Sequence, residues 1–171
     1  MAVRPPEPNA SLPLRWSRYG PRQAAGAVLI VGGAGLLLPT TAYTLHLGLL
    51  GAAAHVTGWL VLPAPGWRRL LGAGAGLASL LLLLLGGQLA WLMAVPLALW
   101  FLVRRRPARA YPLVLAPVIA GLLIAQTGGA LASRVPAALT TGAVAVAAAW
   151  AAAVLPARSS ASISRNSPRD P

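Results

Sequence analysis

In the long uncharged stretches of this 171-residue chain the side chains able to do chemistry are sparse: His46, His55, Thr57, Ser79, Gln88, Gln126, Thr140 and Thr141. Only the two imidazoles ordinarily titrate near neutrality, so they come first. They are nine residues apart, which at ~3.6 residues per turn puts them on nearly opposite faces of one helix. An i, i+4 pair can chelate one metal; this pair cannot. Two chemistries remain for them: haem ligation from separate helices, and proton passage through a single ring. Simpler roles outweigh both, with His55 bonding across helices and His46 standing at the outer interface. Gln126 is costly in hydrocarbon unless it meets a partner, so it is expected to face another helix. His55 and Gln126 are thus the candidate intramembrane polar site.

The missing residue types exclude more than the present ones suggest. The chain has no cysteine, which removes disulfides, thiolate metal centres, iron–sulfur clusters and thiol nucleophiles. Its two acids, Glu7 and Asp170, lie in the terminal stretches, so no carboxylate is placed to relay protons, hold a divalent metal or act as a general base within the apolar segments. No GxSxG, phosphate-binding loop, dinucleotide fingerprint or HExxH occurs. The sequence therefore predicts a non-enzymatic protein with no catalytic residue, no metal and no cofactor.

What must position these few groups is set by composition. The chain is 57% hydrophobic and 9% charged, so water would leave its apolar mass uncovered. Lipid is the expected solvent. The formal charge of +12 would suggest nucleic acid in a soluble domain. Here the basic residues are all arginines in terminal stretches and short loops, the pattern that orients membrane proteins, and no nucleic-acid partner is expected. Arginine without lysine, in a background of Ala, Gly and Leu, suits a bacterium with GC-rich DNA.

Leu70 to Val103 is an uncharged run of 34 residues between Arg68-Arg69 and Arg104-Arg105-Arg106. As one helix it would be roughly 51 Å long, against a hydrocarbon core of about 30 Å. A fold-back at Gly86-Gly87-Gln88 shortens it and returns both arginine clusters to one face. The run from Ala24 to Pro63 must also turn, at Pro39-Thr40-Thr41. Thr40-Thr41-Ala42 loosely resembles a signal-peptide cleavage site, but further apolar spans follow at once. The expected fold is all-α: a polytopic membrane domain over 24–156, with spans near 24–41, 44–62, 70–86, 88–103, 111–132 and 136–155 forming three hairpins. Residues 1–23 read as a Pro- and Arg-rich cytoplasmic tail and 157–171 as a disordered one. Both termini inside puts thirteen arginines on the cytoplasmic side and Arg134 alone outside. Trp16, Tyr19, Trp59, Trp67, Trp100, Tyr111 and Trp150 then fall at the inner boundary, and Tyr43 and Trp91 at the outer. Within this frame Gly72 and Gly76 form a close-packing pair, and Pro96 kinks the interior of its helix.

The expected function is that of an accessory or structural subunit in the bacterial inner membrane, with lipid and other membrane subunits as its partners. The alternative is a small transporter, or a transporter's membrane subunit, for a neutral or apolar solute, with Pro96, Pro117, His55 and Gln126 lining the site.

Overall fold

Prolines mark where regular α-helix begins. In the computed structural model, which describes residues 18–128 and 133–154, Pro21, Pro96, Pro117 and Pro136 are each the third residue of an α-helix. In a first turn the backbone N–H has no intrahelical acceptor, so proline removes nothing there. The helices are α1 (Tyr19–Leu37), α2 (Leu45–Val61), α3 (Gly66–Leu83), α4 (Ala94–Val103), α5 (Leu115–Thr127) and α6 (Arg134–Val154). Tighter 3-10 segments precede three of them: Ala42–Thr44 before α2, Gly87–Met93 before α4 and Ala108–Val114 before α5. No strand occurs among the described residues. The expectations for 1–17, for 129–132 at the end of the fifth span, and for 155–171, the end of the sixth span included, lie outside them.

The all-helical expectation holds, while the spans need correction. Among the described residues three helices are long and apolar enough to cross a membrane, fewer than the expected six: Ala42–Val61, Ala108–Thr127 and Arg134–Val154, the first two with their 3-10 segments included. The other three fall short for identifiable reasons. Helix α1 starts at Tyr19 rather than 24 and stops at Leu37 rather than 41, so its opening turns are polar. Helix α3 starts at Gly66 rather than 70, bringing Arg68 and Arg69 into its first turn. Gly87–Val103 is apolar but shorter. Pro96, expected inside a helix, is in the first turn of α4, because the chain before it winds as 3-10 instead. The fold-back at Gly86 is as expected: Gly86 has φ +158, and a Cβ there would run into the Gln88 amide.

Helices α1 and α2 pack antiparallel with their backbones touching. Gly26 lies against Gly58, and Gly33 against Gly51. A Cβ on Gly33 would stand 2.6 Å from the Gly51 carbonyl oxygen and 2.5 Å from the His55 nitrogen, and one on Gly58 would stand 2.8 Å from the Gly26 oxygen. Both pairs repeat at seven residues, the spacing that keeps one seam facing a partner. Close approach of small residues is how helices associate where lipid offers no hydrophobic drive. On the next seams, Gly72 of α3 receives the Trp59 ring, and Gly121 of α5 receives the backbone of Ala90 and Trp91. Large apolar side chains such as Val28, Val31, Leu49, Leu82, Leu123 and Val146 point outward.

Gly33→Ala should therefore be destabilising by about 1–3 kcal/mol, the cost of overpacking, and should lower the midpoint of thermal unfolding followed by tryptophan fluorescence. Gly35→Ala, two residues on and facing open space, should leave the midpoint unchanged or raise it slightly.

Candidate functional site

His55 is 1% exposed, and the sequence provides for both of its ring nitrogens. Trp59, one turn on along α2 and fully buried, donates its indole N–H to His55 Nε2 at 3.0 Å. Because Nε2 accepts, Nδ1 carries the proton, and it donates to the Ile30 carbonyl oxygen of α1 at 3.0 Å. The partners thus select the neutral Nδ1–H tautomer. The two rings meet edge-on, with centroids 6.2 Å apart. On the far side α3 comes close because it is bare there: a Cβ on Gly76 would stand 3.0 Å from both His55 Nε2 and Trp59 Nε1. One turn further, buried Ser79 donates to the Gly76 carbonyl at 2.8 Å. This indole, imidazole and carbonyl chain ties α2 to α1, and α3 packs against it at Gly76. It leaves His55 no free lone pair for an iron or other metal.

The other candidate groups are not drawn into it. His46 is exposed near the start of α2. Gln126, expected to face a neighbouring helix, is exposed as the penultimate residue of α5. A helix end lies near water or headgroups, which supply the hydrogen bonds that a mid-membrane glutamine would need from protein. Pro117 is buried and Pro96 half-buried. His55 and Gln126 therefore do not form one polar site. Thr141 of α6 is buried, and its hydroxyl donates back to the Ala137 carbonyl.

Trp59 was missed as a site residue because tryptophan near a span end reads equally well as an interfacial anchor. Its position four residues after His55 was the available signal. The paired glycines of α1 and α2 were also legible in principle, as two equal seven-residue intervals on consecutive segments.

The arginines form a second constellation. At the end of the bundle where α1 and α3 begin and α2 and α4 finish, guanidinium groups cap helix carbonyls. Arg22 Nε donates to Val61 O at 2.5 Å, Arg69 to Leu60 O at 2.9 Å, and Arg68 to Leu102 O at 2.9 Å. Cations suit these helix C-termini, where unsatisfied carbonyls concentrate negative potential. With its amide turned to suit both neighbours, Gln23 accepts from Arg104 at 3.0 Å and donates to the Tyr19 hydroxyl at 3.0 Å. Arg68 and Arg104 also stand over the Trp67 and Trp100 rings. Arg134 is at the opposite end of the bundle, donating to Thr40 O at 3.0 Å and to Leu84 O at 3.5 Å.

No protein-family model matches this chain, and no curated protein and no solved structure does either. What is established is a class: a protein all-helical over its described residues, three of whose helices there are long and apolar enough to cross a membrane.

Trp59→Phe keeps the ring but removes the donor to His55. It should cost about 1–3 kcal/mol, the penalty of a buried acceptor left unsatisfied. Nitrogen NMR of the imidazole should show protonated Nδ1 and bare Nε2 in the native protein, with the Nε2 resonance displaced in the variant.

Proposed function

We propose that the chain is a six-span protein of the bacterial inner membrane with both termini cytoplasmic, serving as a non-catalytic accessory or structural subunit that associates with other membrane proteins. The observation that carries this reading is the internal use of its buried polar groups: both nitrogens of His55, the Ser79 hydroxyl and the Thr141 hydroxyl are bonded to neighbours within the bundle. Such groups serve as structural joints rather than as a reactive or solute-binding surface. The transporter alternative asks His55 and Gln126 to converge, and it draws no support from one buried on α2 and one exposed on α5.

Geometry supports six crossings although three helices are short on residues or apolar character. A 3-10 helix rises ~2.0 Å per residue and an α-helix ~1.5 Å. Seven 3-10 residues followed by the ten of α4 therefore reach about 29 Å, close to the ~30 Å of a hydrocarbon core. Helices α1 and α3 reach about 28 and 27 Å on the same rise. Outward-facing Val and Leu side chains suit a lipid surround. Arginines gathered at one end, with Arg134 at the other, suit the proposed orientation. Nucleic acid has no part in this reading, nor does any cofactor.

Reporter fusions at residues 66 and 107 should both report the cytoplasm, and fusions at 41 and 88 the opposite side. Fusions at 66 and 107 on different sides overturn the three-hairpin arrangement. Purification in two unrelated mild detergents should retain one membrane protein at a constant ratio. Recovery of the chain only as an isolated monomer that alone carries solute into proteoliposomes overturns the subunit reading.

A further inference from the structure

The charge at the arginine-rich end of the bundle is not balanced within the described residues. The only acids in the chain, Glu7 and Asp170, lie outside them. Arg68, Arg69, Arg104 and Arg105 are brought together by the start of α3 and the finish of α4: Arg68 reaches the Leu102 carbonyl, two residues before Arg104. The carbonyls that Arg68 and Arg69 cap are dipoles rather than full charges, and the chain has 14 basic residues against 2 acids, so a positive field remains at this end.

Two details show that these guanidiniums do more than close helices. Arg68 bonds Leu102 through Nη1 alone, and its Nε–H is buried with no partner. A turn of the side chain that uncovers this Nε–H presents the Nε and Nη2 edge, the planar fork that matches two oxygens of a phosphate. Arg105, exposed, has φ +52. It is the left-handed residue of a Schellman ending, in which the Arg106 N–H bonds Phe101 O at 2.9 Å and the Arg105 N–H bonds Leu102 O at 3.3 Å. Glycine takes that conformation without strain, and a residue with a Cβ does not. An arginine there gives up local stability to project a cation. The indoles of Trp67 and Trp100 lie beside Arg68 and Arg104, and such amphipathic rings settle at headgroup depth.

We propose that Arg68, Arg69, Arg104 and Arg105 form a binding site for the phosphate of an anionic phospholipid headgroup, seated between the start of α3 and the finish of α4. The proposal rests on the membrane reading above, since it needs this end to lie at a bilayer surface. Lipid is the committed source because the tryptophans place the cluster beside a layer of phosphodiesters. An anion held there also relieves the repulsion among the four guanidiniums, so the lipid acts as a structural counter-ion for the bundle end.

The test uses the full chain in mild detergent, with phosphatidylglycerol and phosphatidylcholine as probes and native mass spectrometry to count lipids retained. The native protein should retain phosphatidylglycerol in preference to phosphatidylcholine. Arg68→Gln and Arg105→Gly should each lower that retention about fivefold, the factor expected for one arginine contact at an anionic surface. Arg105→Gly is the decisive variant: it relaxes the backbone and should hold or raise the unfolding midpoint while retention falls, so misfolding cannot imitate the result. Arg109→Gln, an exposed arginine at the same end, should retain the native preference. Equal losses in all three variants would mean diffuse charge attraction and overturn the site. Unchanged retention in Arg105→Gly overturns it too, and displacement of phosphatidylglycerol by millimolar inorganic phosphate overturns the lipid assignment. Membrane residence is scored separately, by whether the chain stays with carbonate-washed membranes, so failure of that reading is distinguishable from failure of this one.

Discussion

Contact between two bare stretches of backbone, Gly26 and Gly33 of α1 against Gly58 and Gly51 of α2, is the constraint on which the rest of the bundle depends. With the helices this close, the Ile30 carbonyl is within reach of the His55 ring. Helix carbonyls have a second lone pair, and here it is used across a helix interface rather than along one. A bulkier residue on this seam would separate the helices, strand the imidazole proton, and release Trp59 from its place over Gly72. One steric condition thus governs the hydrogen bond between α1 and α2 and the packing of α3 on α2.

Elsewhere the chain solves a problem created by its own composition. Helix C-termini expose carbonyls, and among the described residues there is no acid to balance the arginines near them. Pairing the two surpluses answers both: Val61, Leu60 and Leu102 accept from Arg22, Arg69 and Arg68. Guanidinium suits this work better than ammonium because it is planar, stays charged and stacks on the adjacent indoles.

The legible parts of the fold were those with one physical explanation. Arginine pairs flanking an apolar run too long for one crossing imply a fold-back, and Gly86 supplies it. Gly72 and Gly76 read as a close-approach pair, and they receive Trp59 and His55. An interhelical bond for His55 followed from the cost of a polar group in hydrocarbon. The misread parts had two explanations of equal weight. Tryptophan near a span end suits either an interface or a buried donor, and Trp59 is the latter. Proline in an apolar run suits a kink or a first turn, and the 3-10 winding before Pro96 decided for the turn. Gln126 was placed inside on the assumption that its helix continued beyond it, whereas α5 ends one residue later. The seven-residue glycine intervals of α1 and α2 were hidden by the abundance of glycine around them.

Arg134 has a bearing on the order in which the protein assembles. Its guanidinium reaches across 94 residues to Thr40 and across 50 to Leu84, the far corners of the first two hairpins. Both acceptors have been synthesised long before this arginine leaves the ribosome, and neither gains this cation until the last helix arrives. Helix α6 therefore works as a latch: the earlier helices pair along their own close seams, and closure comes last, by a polar clasp at the end remote from the arginine cluster.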